Sequence, residues 1–210
     1  MQNLPPRIQT TGEATVTTQP DRVQIDIGVV TQAGVSQTAV SENAKKLEQT
    51  LSNLRALLGP AADIRTVSYN VSPNYNYPKD GGEPTISGYT VANVVRVTLD
   101  DLSLTGKVID EATRAGANRI QGLQFSLKDN STVMATALKQ AAAEARTKAD
   151  ALASALAVRI VGVLSVEENS PGPVPIRTVS YARSEQAATP IEAGSIEVRA
   201  TVNLTVEIAR

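Results

Sequence analysis

The sequence predicts an α+β fold of antiparallel β-hairpins joined by three helices, in the order β-β-α-β-β-α-β-α-β-β. Three observations predict it. Apolar residues alternate with polar ones in a series of short runs, the period of a half-buried strand. Three other segments repeat apolar residues at steps of three and four, the period of a helix. Strands follow one another across short turns with helices standing between the pairs, which suits antiparallel hairpins rather than βαβ units.

The 210 residues are enough for one domain, expected over 8–209, with two halves of loosely similar order, 13–99 and 101–208, as subdomains. A short strand is expected at 13–18, turning through Gln19-Pro20-Asp21 into the alternating Val23, Ile25, Ile27 and Val29. The first helix carries an apolar stripe of Val40, Ala44, Leu47, Leu51, Leu54 and Leu58. Ser36 or Ser41 can cap its start, and Gly59-Pro60 stops it. Two strands follow, with Val67, Tyr69 and Val71 alternating in one and Tyr89 to Leu99 in the other.

Asp101 is the expected N-cap of the second helix, which presents Leu104, Val108 and Ala112 on one face and ends at Gly116. Leu123, Phe125 and Leu127 mark the next strand. The third helix has a stripe of Met134, Leu138, Ala141, Ala145, Ala149, Leu152 and Leu156, with Asn130-Ser131-Thr132 at its start. A strand at 159–167 precedes NSPGPVPIRTVSYARSEQAATPIEAG (169–194), a Pro-rich stretch without period that is expected as a mobile loop. The last strand alternates Ile196 to Ile208 against Glu197, Arg199, Thr201, Asn203, Thr205 and Glu207, so it has one wet face. A strand this long needs pairing or protection, so its edge is a candidate contact surface.

Composition narrows the chemistry. Apolar residues make up 41% and charged residues 20%, with a net charge of −1 and no basic stripe, so no nucleic-acid partner is expected. The chain has no Cys and no His, which removes disulfides, thiolate zinc sites and the usual Ser-His and His-metal arrangements. No P-loop, dinucleotide fingerprint, HExxH, GxSxG or EF-hand loop is present, so neither enzymatic activity nor a cofactor is expected, and no catalytic or metal residue is assigned. No segment reads as a transmembrane span, because the apolar run at 151–166 is broken by Arg159 and changes period. The opening MQNLPPRIQ shows no leader-peptide pattern.

Four of the five tyrosines fall in VSYNVSPNYNYPKDGGEPTISGYTVANVVRVTL (67–99). Tyr69 and Tyr89 alternate with valines and belong to paired strand faces, where cross-strand contacts contribute a few tenths to about 1 kcal/mol each. Tyr75 and Tyr77 stand at spacing two beside a Pro- and Gly-rich tip that must be exposed. Two rings on one side of a protruding arm suit a contact with another chain, because Tyr joins an apolar body to a polar tip. Tyr75, Tyr77 and Tyr89 are therefore the candidate interaction residues. The first use is a homo-oligomer contact, and the alternative is a small-molecule or glycan site.

GEATVTTQPDRVQIDIGVVTQA (12–33), DIRTVSYNVSPNYNY (63–77), GYTVANVVRV (88–97), AGANRIQGLQFSL (115–127) and AEARTKADALASAL (143–156) resemble, in order, segments of the SIMPL-domain family. This family includes periplasmic immunogenic and oxidative-stress defence proteins. Ala14 stands where the family often has a second glycine, and Val91 and Ala92 are offset by one place. Each segment is a strand or turn signature, and the specificity lies in five of them in the right order. The resemblance implies no established enzymatic activity and no cofactor. It also implies a periplasmic or secreted location, with the leader peptide absent from this chain, and self-association linked to envelope or oxidative stress.

Overall fold

In this computed structural model, residues 5–79, 81–169, 172, 174–176, 189 and 191–210 are described. The elements run β1 (Arg7–Thr18), β2 (Arg22–Ala33), α1 (Ser36–Leu58), β3 (Asp63–Asn76), β4 (Thr85–Leu99), a 3-10 turn (Leu102–Leu104), α2 (Thr105–Arg114), β5 (Arg119–Ser126), α3 (Ser131–Ala155), β6 (Arg159–Glu168), β7 (Val174–Ile176) and β8 (Ser195–Ala209). This is the expected α+β order, with the three-residue β7 added. Most of the expected loop at 169–194 lies outside the described residues. The strands form two sheets, β1-β8-β6 with β7 also on β8, and β3-β4-β2-β5, and the pairs are antiparallel.

Pairing differs from the sequence expectation in two places. β1 and β2 are consecutive but enter different sheets, β1 pairing with β8 and β2 lying between β4 and β5. Pro20, between them, has no N–H to offer a ladder, and the Asp21 N–H donates to the Ser126 carbonyl instead (3.2 Å). The terminal strand also has no open edge. β1 takes one side of β8, while β6 and β7 share the other. Its regular ladder is thus protected by intramolecular neighbours rather than left for another chain.

One unit comprises the described residues of Met1–Pro20, Leu127–Val179 and Gly194–Arg210. The even positions of β8 from Ile196 to Val206 are buried, and α3 lies over them. Its buried face is Ala137, Ala141, Ala145, Ala149 and Ala153, so the expected stripe holds at its centre, while Leu152 and Leu156 at its end are exposed. Alanines bring the helix axis close to the sheet. Thr10 Oγ1 donates to the Ala145 carbonyl (2.8 Å) and Lys148 Nζ to the Thr11 carbonyl (2.9 Å). The Glu13 N–H donates to Glu144 Oε2 (2.6 Å) and holds that carboxyl below its ordinary range, with help from Lys148. At the start of α3, Asp129 accepts from the Ser131 N–H (2.8 Å), while the N-cap residue Asn130 makes no side-chain cap bond.

The other unit comprises the described residues of Asp21–Ser126 and Ser180–Ala193. Val23, Ile25, Ile27 and Val29 of β2 are fully buried with Val95, Val97 and Leu99 of β4, Leu54 of α1, and Val108 and Ala112 of α2. Each such aliphatic side chain contributes about 1.5–3 kcal/mol by leaving water. Asp101 caps the 3-10 turn rather than α2, and the hydrogen bonds it accepts from Ser103 Oγ (2.6 Å) and then from the Ser103 N–H (3.0 Å) hold its carboxyl below the ordinary carboxylate range. α1 begins after Val35 without a side-chain cap and stops at Gly59, whose φ of 87° lies in the region glycine favours. Its buried residues are Ala39, Asn43, Thr50 and Leu54. The helix is therefore rotated from the orientation its apolar stripe predicts, and Leu47, Leu51 and Leu58 are only partly buried. Two buried polar groups make this possible. Asn43 Nδ2 donates to the Val29 carbonyl (2.8 Å), and Thr50 Oγ1 donates to the Lys46 carbonyl (2.9 Å).

Candidate interaction surface

The tyrosine arm is the hairpin of β3 and β4. β3 stands at the end of its sheet, and its ladder with β4 shifts register between Thr66 and Ser68 and again between Asn74 and Tyr75. The second irregularity lies where the hairpin approaches its tip. There Ser87 Oγ donates to the Asn74 carbonyl (3.1 Å) and Thr90 Oγ1 donates to Asn74 Oδ1 (2.8 Å), which fixes the strands despite the irregularity.

Tyr75 faces Ile86 across the ladder, and Tyr77 lies one residue past β3. Their ring centroids are 6.4 Å apart and tilted by 50°, within the range of a favourable aromatic pair. Tyr75 is 50% exposed, Tyr77 70% and Ile86 52%. The three apolar groups share the end of the hairpin and remain in water. Tyr89 is placed differently. It is half-buried within the sheet, with Pro73 opposite on β3 and Ala33 opposite on β2. Tyr69, expected in hairpin packing, pairs in register with Asn93 and is more than half exposed.

A second apolar surface escaped the sequence reading. β6 is an edge strand, and no described residue pairs with its outer side. Val161, Val163, Leu164 and Val166 are all exposed. The ladder between β6 and β8 shifts register between Ile160 and Gly162 and between Val163 and Ser165. In the sequence the run reads only as a strand at 159–167, because apolar content alone does not say whether a sheet edge is covered. Arg159 stands at one end of this strand, and Glu167 and Glu168 stand at the other. Among the described residues, no helix is long and apolar enough to cross a membrane.

Residues 8–206 match the SIMPL family, described as a protein of unknown function (DUF541). The chain is 32% identical to the 26 kDa periplasmic immunogenic protein of Brucella melitensis, over 99% of this chain and 87% of that protein. It is 28% identical to the uncharacterized protein YggE of Escherichia coli, over 77% of this chain and 65% of that protein. The matched span runs from the start of β1 almost to the end of β8, so it takes in both sheets and all three helices, and the chain belongs to the SIMPL family.

Proposed function

We propose that this protein is a non-enzymatic, exported module that self-associates through its exposed apolar edges and serves as a binding or scaffold element in envelope or oxidative stress. The observation that carries self-association is the group of Tyr75, Tyr77 and Ile86, large apolar side chains held in water at the end of an edge hairpin. Burying such rings against a second copy is favourable, and Tyr hydroxyls remain free to bond at the rim. Export is supported by the periplasmic name of the Brucella relative, and the stress role by the family resemblance. The non-enzymatic reading is supported by a sequence without His, Cys or a nucleotide or hydrolase motif.

Sedimentation velocity of the wild type and of a Tyr75→Ser/Tyr77→Ser variant tests the proposal. Loss of the larger species in the variant is expected. An unchanged mass distribution would remove the hairpin from the contact, and a wild type that is monomeric throughout would end the self-association reading.

A further inference from the structure

β6 ends its sheet, and its ladder with β8 divides its side chains between two sides. Ile160, Val163 and Val166 stand opposite Ile208, Val206 and Leu204, on the side of the sheet that α3 covers. Arg159, Ser165 and Glu167 stand opposite Ala209, Thr205 and Asn203, on the wet side. α3 closes over the β8 residues, which are buried, yet Val163 is 55% and Val166 61% exposed. The apolar side of β6 is therefore uncovered where that of β8 is not. An apolar edge strand of this kind needs protection or a partner.

The irregular positions of β6 are spaced evenly. Its register shifts between Ile160 and Gly162 and again between Val163 and Ser165, once on each side of Val163. Turning the strand end for end about Val163 brings Ile160 to the place of Val166 and Arg159 to the place of Glu167. Both exchanges keep the side of the sheet. Apolar meets apolar on the α3 side, and opposite charges meet on the wet side. A shift of this register by one residue would set Arg159 against Val166 or Glu168, both on the α3 side, so the period of two excludes it. In-register parallel pairing would set Arg159 beside Arg159 and Glu167 beside Glu167.

We propose that β6 pairs antiparallel with β6 of a second copy about a two-fold axis at Val163, joining the two sheets edge to edge. The proposal rests on the self-association argued above and adds to it the strand, the register and the symmetry. Open backbone groups on the edge supply the ladder. Val163 lies against its own counterpart and Ile160 opposite Val166, and cross-strand pairs of such residues contribute a few tenths to about 1 kcal/mol each. Arg159 and Glu167 close both ends. The contact of Arg159 with the Arg210 carbonyl (3.5 Å) leaves other guanidinium donors for the carboxylate. Bulges ordinarily guard an edge against pairing. Placed evenly about the axis, they bend both copies alike, so they admit this strand and disfavour a straight one.

The chain has no cysteine, so a single introduced thiol reports the symmetry. Residues directly opposite in an antiparallel pair have Cα atoms about 4.5–5.5 Å apart, within reach of a disulfide, and Val163 is the position opposite itself. The Val166 positions of the two copies would stand about 20 Å apart along the same strands. Val163→Cys and Val166→Cys, both at exposed positions, are oxidised with copper phenanthroline at equal concentration, and linked dimer is followed on non-reducing gels. Sedimentation velocity of the reduced proteins and of the wild type runs beside them. Val163→Cys should link at least about tenfold faster than Val166→Cys. Equal rates, or no linked dimer from Val163→Cys, in protein that still associates would overturn the β6 pairing and leave self-association through the tyrosine hairpin standing. Protein that is monomeric throughout would overturn both.

Discussion

Arg96 of β4 clasps Asp26 of β2 with two parallel hydrogen bonds across adjacent strands, Nε to Oδ1 at 2.7 Å and Nη2 to Oδ2 at 2.8 Å. The two residues are directly opposite in the ladder, so the pair joins strands that already share the core. The hydrogen bond from Arg96, and then its charge, hold the Asp26 carboxyl below its ordinary pKa, while Arg96 is raised by the same contact. The folded-state pKa of Asp26 therefore lies below the unfolded value of about 3.9. Its stabilising contribution is complete above that value and is lost as pH falls through the folded pKa. Asp26→Asn should lower stability at pH 7 and flatten the dependence of stability on pH below about 4. Urea melts of both proteins from pH 7 to pH 2 measure this. Parallel pH profiles would show that the pair contributes nothing to acid stability.

The end of α3 is held in a left-handed turn without a glycine. Ala157 has φ of 54°, its N–H donates to the Ser154 carbonyl (3.1 Å), and the next N–H, from Val158, reaches the Ala153 carbonyl (3.0 Å). This is the Schellman pattern, in which the left-handed residue is usually Gly. A Cβ in that conformation costs roughly 1–2 kcal/mol, part of which glycine gives back in chain entropy. Ala157→Gly should therefore stabilise the protein by about 0.5–1 kcal/mol, read as a higher urea midpoint with unchanged slope. A lower midpoint would contradict it.

The strands were legible because β8 alternates aliphatic and polar residues without interruption, and β2 and β4 do so over much of their length despite Val30, Asn93 and Val94, and period two fixes which residues share a face. Partners were not legible. Nothing in β1 names β8, and their register, from Arg7 with Glu207 to Thr18 with Ile196, joins the two ends of the chain. The terminal strand consequently looked open at its edge when it is internal. α1 misled for a different reason. A hydropathy stripe counts Asn43 and Thr50 as surface residues, and only the Val29 and Lys46 carbonyls they meet allow them inside. At the tyrosine arm, the Pro- and Gly-rich tip was enough to place Tyr75 and Tyr77 in water. The rotation of α1 itself left no such signal, because no local pattern records it.

Gly12 of β1 lies under α3 where a Cβ would run into the Ala141 carbonyl and the Ala145 backbone nitrogen. Neither obstacle is a flexible side chain, so helix and strand must separate to admit it. Gly12→Ala should destabilise by about 1–3 kcal/mol, the usual cost of overpacking. Gly162 of β6 is the internal control, since a Cβ there meets nothing within 4 Å. Gly162→Ala should be neutral or slightly stabilising, because it narrows the unfolded ensemble without native strain. Equal losses for the two variants in chemical denaturation would mean that the close approach of α3 to β1 is not what Gly12 permits.

The outer edge of β6 joins exposed valines to a charge pattern that complements itself. An antiparallel pairing of β6 with β6 of a second copy would set each Arg159 against the other copy's Glu167 and Glu168, with Val161, Val163, Leu164 and Val166 meeting between them. Open backbone donors and acceptors on an edge strand provide the ladder for such a pairing. Val163→Lys/Val166→Lys puts two charges on this strand at positions that are already exposed, so the monomer should keep its stability to within about 0.5 kcal/mol. Association should weaken if β6 pairs between copies, and the wild-type protein should associate less as salt screens the end charges. Sedimentation equilibrium at low and high salt, beside a thermal melt of the variant, distinguishes the outcomes. A lysine variant that associates like the wild type would leave the tyrosine hairpin as the sole proposed contact.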